Sequence, residues 1–218
     1  MVVPLGEITV LLGANGAGKT TLLEAISGVV DTKSGQIALD GLPIESMRRN
    51  ARARRGLAHV EQGRAVFADL TTEENILAAA PSGSFERALE LFPALEPRRD
   101  VRAGLLSGGE QQMLVLARAI VSDPKVLLLD EISLGLAPSI IQDLMPVIRR
   151  LGDSGIAVLL VEQFAALALA IGDSAYVLSR GSVVFNGTCK ELGDQPKLLQ
   201  GAYLAGSTDA TDRTSTND

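Results

Sequence analysis

Residues 8–20 constrain the fold of this chain more than any other stretch. Five mostly apolar residues, Ile8 to Leu12, run straight into Gly13-Ala14-Asn15-Gly16-Ala17-Gly18-Lys19-Thr20, and a helical pattern follows to Ser27. A short apolar run that ends at glycine reads as a strand buried on both faces, as parallel sheets require. The spacing G-x-x-x-x-G-K-[ST] reads as a turn whose backbone N–H groups curl around phosphate oxygens. Lys19 is expected to reach the β and γ phosphates, and the Thr20 hydroxyl to meet Mg2+. The plain alternative is a glycine-rich turn between a strand and a helix.

A second apolar run, Val126 to Leu129, ends in Asp130 and Glu131. A core strand would deliver both carboxylates beside the phosphate turn. Asp130 is then expected to hold Mg2+ through water, and Glu131 to polarise an attacking water. Alone, a strand ending in Asp-Glu is a weak signal. Its place after the phosphate turn and after Leu106-Ser107-Gly108-Gly109-Glu110-Gln111-Gln112 strengthens it. In that heptapeptide two adjacent glycines bare the backbone, Ser107 offers a hydroxyl, and an apolar-periodic helix begins. Free N–H groups at a helix N-terminus favour an anion, so Ser107, Gly108 and Gly109 also point to phosphate.

The rest of the chain fits one α/β domain. Its 218 residues are 46% hydrophobic and 21% charged, enough for one buried core. The longest charge-free stretches, such as Ile132 to Gln142, run 11 residues. A spanning helix needs about 20 apolar residues, so none is expected here, and no signal peptide is visible. Aromatics make up 3%, Trp is absent and the net charge is -6, which speaks against nucleic acid as a partner. Cys189 is the single cysteine, so no intrachain disulfide forms and a spectator role is expected.

Strands are expected at Gln36 to Leu39, Leu57 to Val60, Ile156 to Val161, Ala175 to Leu178 and Val183 to Phe185. Glu73 to Gly109 reads as helices, with Thr71 and Glu74 set as a capping pair. Ser139 to Leu151 reads as a helix that Pro146 should kink. His59 reads as a structural strand-end residue. Arg48, Arg49, Arg52, Arg54 and Arg55 read as a solvated helix flank, with contact to a partner or acidic lipid as the alternative. Ser207 to Asp218 is polar and reads as a disordered tail.

These motifs, in this order, resemble those of ATP-binding cassette (ABC) proteins. The resemblance covers about Gly6 to Leu204. It is most specific for the ATPase subunits of branched-chain amino acid importers. The carrying stretches are Gly-Ala-Asn-Gly-Ala-Gly-Lys-Thr-Thr at 13–21, Glu-Gln-Gly-Arg at 61–64, Ser-Gly-Gly-Glu-Gln-Gln-Met at 107–113, Ser-Leu-Gly-Leu-Ala-Pro at 133–138 and Val-Glu-Gln at 161–163. Urea and amide importers share much of this pattern and remain an alternative.

The resemblance implies an α/β P-loop NTPase fold of the ABC type, with a RecA-like parallel-sheet core. One domain would span 1–206, with a helical subdomain at about 70–120. The ligands would be ATP and Mg2+. Gly13, Ala14, Asn15, Gly16, Ala17, Gly18, Lys19, Thr20 and Thr21 would grip the nucleotide. Thr20, Asp130 and Gln62 would surround the metal, and Glu131, Gln62 and Gln163 would serve hydrolysis. Ser107, Gly108 and Gly109 would close over ATP held by a second ABC subunit in a head-to-tail, heteromeric pair. Transmembrane permeases would complete the transporter, with this chain peripheral on the cytoplasmic face of the inner membrane.

Several positions depart from the wider family. Gln163 stands where a histidine is usual, and Leu136 where the D-loop carries aspartate; both are expected of this branch. A neutral glutamine can donate a hydrogen bond but cannot carry a proton. Ile132 replaces the proline that usually follows the glutamate. No aromatic precedes Gly13 to stack on adenine. Losing such stacking should cost roughly 1–3 kcal/mol, so a late start, another stacking group, or a weak regulatory paralogue all stay open. A sheet edge left bare by a missing first strand is also expected.

Overall fold

The computed structural model describes residues 1–80 and 84–204. In chain order the elements are β1 (Ile8–Leu12), α1 (Lys19–Ser27), β2 (Ala38–Leu39), β3 (Leu42–Pro43), α2 (Arg49–Arg54) and β4 (Leu57–Val60). Helices α3 (Thr72–Leu77), α4 (Ser84–Leu91) and α5 (Gly108–Val121) follow, with 3-10 turns at Pro93–Arg98 and Ala103–Leu105. Then come β5 (Val126–Asp130), α6 (Pro138–Asp153), β6 (Ala157–Val161), α7 (Ala165–Ile171), β7 (Ser174–Ser179), β8 (Ser182–Thr188), α8 (Cys189–Gly193) and α9 (Pro196–Leu204).

Six strands form one sheet in the order β4-β5-β6-β1-β7-β8. All neighbours are parallel except β7 and β8, which form an antiparallel pair. Every residue of β1 and β6 is buried. Alternate residues face opposite layers, as the two-residue period of a strand demands. Val10, Leu127, Leu129 and Leu160 pack with α5 and α6 on one side. Leu11, Leu128, Leu159 and Val161 pack with Leu23 of α1 on the other. The register sets Leu11 beside Val161, Asp130 beside Val161, and Val60 beside Leu129. Four strands therefore end along one edge of the sheet, the place where ligands bind in open α/β sheets. Edge strand β8 leaves Val183 and Val184 each 51% exposed. Among the described residues no helix is long and apolar enough to cross a membrane.

The structure refines several expectations. The strand expected at Gln36 to Leu39 is only Ala38–Leu39, in a tight hairpin through left-handed Asp40 and Gly41. Helix α6 runs unbroken through Pro146, whose ring is exposed. Its buried side is Ile141, Leu144, Met145, Val147, Ile148 and Leu151, while Ile140 is half-buried. The Thr71 and Glu74 capping box is present. Residues 207–218, expected as a disordered tail, lie outside the described residues.

The arginine cluster is not uniformly solvated. Arg52 is 2% exposed. Its guanidinium donates to the carbonyls of Ala25 and Ile26 at 2.6 and 2.7 Å, and to those of Met47 and Glu45 at 2.9 and 2.8 Å. Carbonyls at the last turn of a helix lack partners within it. Arg52 therefore caps the end of α1, a contact that a run of arginines does not disclose.

Candidate nucleotide site

The turn between β1 and α1 depends on glycine at two kinds of position. A Cβ on Gly13 would stand 2.3 Å from the Leu178 carbonyl oxygen, so the β1 turn needs the bare backbone to pass β7. Gly18, the residue that caps α1, has φ 103°, in the left-handed region that glycine tolerates. Lys19 is 5% exposed, and its ammonium donates to the carbonyls of Gly13 and Ala14 at 2.9 and 3.2 Å. The long side chain thus folds back over its own loop and holds its charge there.

Strand β5 brings its carboxylates to this loop. Asp130 is 1% exposed, and burial pushes its pKa up, opposed by a hydrogen bond from Thr20. Among the described residues its buried Oδ1 has no hydrogen-bond partner. Glu131 has φ 46°, a left-handed conformation that costs a non-glycine residue about 1–3 kcal/mol. The Glu131 N–H donates to the Val161 carbonyl at 2.9 Å, which fixes the turn to the end of β6. The outcome is that Glu131 Oε1 lies 3.6 Å from Lys19 Nζ, and Gln62 Nε2 approaches Glu131 Oε2 at 3.4 Å.

Lys19, Thr20, Thr21, Gln62, Glu131 and Gln163 line one cleft of about 400 Å3, together with Asn15, Gly16 and Gly18. Sequence-predicted residues from four separate segments thus meet at one place; Gly13, Ala14, Ala17 and Asp130 do not line it, and Asp130 instead lines a neighbouring cleft with Gln62 and Glu131. Ser107, Gly108 and Gly109 do not line this cleft. They start α5, with the Ser107 hydroxyl accepting from the Glu110 N–H and the Glu110 carboxylate accepting from the Ser107 N–H. A hydrogen bond from Arg98 holds the Glu110 carboxyl below its ordinary range.

Sequence reading missed three contacts. Glu162, 1% exposed at the end of β6, accepts from the Ser133 hydroxyl and N–H. Burial raises its pKa, and the Ser133 bonds oppose the rise. The Tyr203 hydroxyl, from α9, donates to the Gln163 carbonyl at 3.2 Å. Burial raises the Tyr203 pKa, opposed by the Gly13 backbone, so this phenol sits between two loops of the cleft. Arg64 reaches Leu134 and Gly135. Glu162 could have been noticed as an acid ending an apolar strand. Nothing local marks Tyr203.

Other polar residues have structural settings. His59 Nδ1 lies 3.0 Å from Ser27 Oγ, and burial lowers its pKa. Cys189 is buried and its thiol is pushed up to about 11 by burial, which suits an inert thiol.

The arrangement has the parts to grip a polyphosphate and activate a water: amide donors, a cation, hard oxygen ligands and a carboxylate facing the cation. Comparison with known proteins agrees. The family model for ABC transporters matches residues 1–133. BraG of Pseudomonas aeruginosa, a high-affinity branched-chain amino acid transport ATP-binding protein, is 46% identical, covering 92% of this chain and 89% of its own length. The probable branched-chain amino acid transport ATP-binding protein LivF of Archaeoglobus fulgidus is 42% identical, covering 88% and 85%. LptB of Escherichia coli, from a lipopolysaccharide export system, is 36% identical, covering 86% and 81%. A solved ATP-binding subunit of an ABC transporter superposes with a TM-score of 0.79 at 29% identity, covering 94% of this chain and 88% of that one. This chain therefore belongs to the ABC transporter family and is one of its ATPases.

Proposed function

We propose that this chain is the ATP-hydrolysing motor subunit of an ABC importer for branched-chain amino acids. The observation that carries the motor reading is the convergence of Lys19, Gln62 and Glu131 in one cleft. The solute is supported by the 46% and 42% identities to importer ATPases. The export-system relative, at 36%, gives the rival transport direction.

Main-chain N–H groups of Gly13 to Thr21 would bind the phosphates, with Lys19 neutralising the terminal ones. Thr20, Asp130 and Gln62 would hold Mg2+. The partnerless Asp130 Oδ1 fits that use, because it is a hard oxygen left unsatisfied by the protein. Bound there, Mg2+ would neutralise negative charge on the phosphates. Glu131 would polarise a water whose oxygen bonds to the γ-phosphorus as the bridging P–O bond to ADP breaks. The water's proton passes to the carboxylate and then to the released phosphate. Gln163 would orient by hydrogen bonding alone.

Ser107, Gly108 and Gly109 lie outside their own chain's cleft, which supports their use on the nucleotide of a second ABC subunit. A heteromeric head-to-tail pair, seated on transmembrane permeases at the cytoplasmic face of the inner membrane, completes this reading. The test is reconstitution in proteoliposomes with the permeases and binding protein of such an importer. Leucine, isoleucine or valine on the binding protein should stimulate ATP turnover. Stimulation by urea or short amides alone would reassign the solute, and absent turnover would remove the motor reading.

A further inference from the structure

The loop after β4 turns through Gly63 at φ 106° and Arg64 at φ 54°. Glycine tolerates that region, but arginine does so at a cost of about 1–3 kcal/mol, and such strain persists only where the surroundings over-determine it. Arg64 is so held. Its Nη2 donates to the carbonyls of Leu134 and Gly135, at 2.9 and 3.1 Å. Its Nη1 occupies the space beside Gly108, where a Cβ would stand 2.6 Å away. One guanidinium thus touches the turn behind Glu131 and the first turn of α5.

The rest of that loop is fastened to the helices. Arg118 of α5 donates to the Ala65 carbonyl at 2.7 Å and lies over the Phe67 ring at 4.3 Å. Asn75 of α3 accepts from the Phe67 N–H at 2.9 Å and donates to its carbonyl at 3.0 Å. The Ala65–Phe67 stretch is therefore tied to α3 and α5, while Leu134 and Gly135 lie in the turn after β5. Arg64 links the two. Gln62 sits two residues before it, and Glu131 three before Leu134.

We propose that Arg64 is a positioning residue that fixes Gln62 against Glu131 by tying the loop after β4 to the Leu134–Gly135 backbone. A planar guanidinium meeting two successive carbonyls fixes direction as well as distance, which a lysine ammonium does not. The catalytic consequence rests on the motor reading; the mechanical tie does not.

The test uses the full chain as wild type, Arg64→Ala and Arg64→Lys, with two readouts. Hydrogen exchange at the Leu134 and Leu136 amides needs no catalysis and should speed up at least about tenfold in Arg64→Ala. Steady-state ATPase should show kcat falling at least about tenfold with KM for ATP held within about twofold, and Arg64→Lys in between. Should the alanine variant fail to fold, the lysine variant carries both readouts. Unchanged exchange overturns the tie. Faster exchange with kcat unaltered, or with kcat and KM moving together, overturns the positioning role. A wild type that hydrolyses no ATP would instead defeat the motor reading, and the exchange result would still decide the tie.

Discussion

Ser133 and Glu162 are joined twice: the Ser133 hydroxyl donates at 2.5 Å and its N–H at 3.1 Å to the two oxygens of a buried carboxylate. The link ties the turn after β5 to the end of β6. Glu131 lies between, held left-handed with its N–H on Val161. Ser133→Ala removes the hydroxyl donor and leaves the N–H. A hydrogen bond to a charged group contributes about 1.5–3 kcal/mol, so urea unfolding should show a loss in that range. Turnover should fall with it, because the turn that carries Glu131 loosens. An unaltered unfolding midpoint would contradict this account of the turn.

Arg52 makes a second, independent prediction. Its guanidinium satisfies four backbone carbonyls at the end of α1 and before α2. Arg52→Ala should cost at least about 3 kcal/mol, since several buried acceptors lose their donor at once. Arg52→Lys should recover part of this, having one ammonium for four acceptors. Arg54→Ala, on the exposed side of the same helix, should shift stability by no more than about 0.5 kcal/mol. Thermal unfolding of the three variants checks the order.

The contrast between Arg52 and the strands shows what was legible in the chain. Val126 to Asp130 was readable to the residue because burial leaves a continuous apolar run, whereas Leu57 to Val60, an edge strand with Ala58 and His59 half-buried, was readable only as a short strand. The start of α5 was readable from the two glycines ahead of the apolar-periodic run, and the structure adds a Ser107–Glu110 capping box there. The meeting of the turn after β1 with Gln62, Glu131 and Gln163 followed from each standing just past a strand end. Arg52, Arg64 and Tyr203 were not readable as partners of distant carbonyls. Their acceptors come from other elements, and a backbone oxygen leaves no trace in side-chain pattern. The pairing of Glu162 with Ser133 likewise depends on strand register.

His59 predicts a pH dependence. Burial holds its folded pKa below the ordinary value of 6.5. The unfolded chain therefore binds a proton more readily than the folded one. Stability is complete above about pH 6.5 and falls as pH drops through that value toward the lower folded pKa. His59→Gln should flatten this part of the curve. Denaturation midpoints at a series of pH values from 8 to 5 would measure it; parallel curves for wild type and variant would contradict it.

Asp130 predicts a metal dependence. Its unsatisfied Oδ1 and its bond from Thr20 fit a cation shared with the nucleotide phosphates. Among the described residues no cluster of three or more acidic, histidine or cysteine side chains could hold a metal alone. Chelating Mg2+ should stop hydrolysis while a fluorescent ATP analogue still binds. Asp130→Asn should lower turnover at least about a hundredfold and blunt the Mg2+ titration. Equal Mg2+ titrations for variant and wild type would remove Asp130 from the metal's surroundings.

Glu131, set 3.6 Å from Lys19 and approached by Gln62, is the proposed base that activates water for ATP hydrolysis. The direct measurement is ATP binding and turnover by Glu131→Gln, which keeps size and hydrogen bonding but removes the base. The variant should bind ATP within about threefold of wild type and lose turnover at least about a hundredfold. Turnover at the wild-type rate would contradict that role.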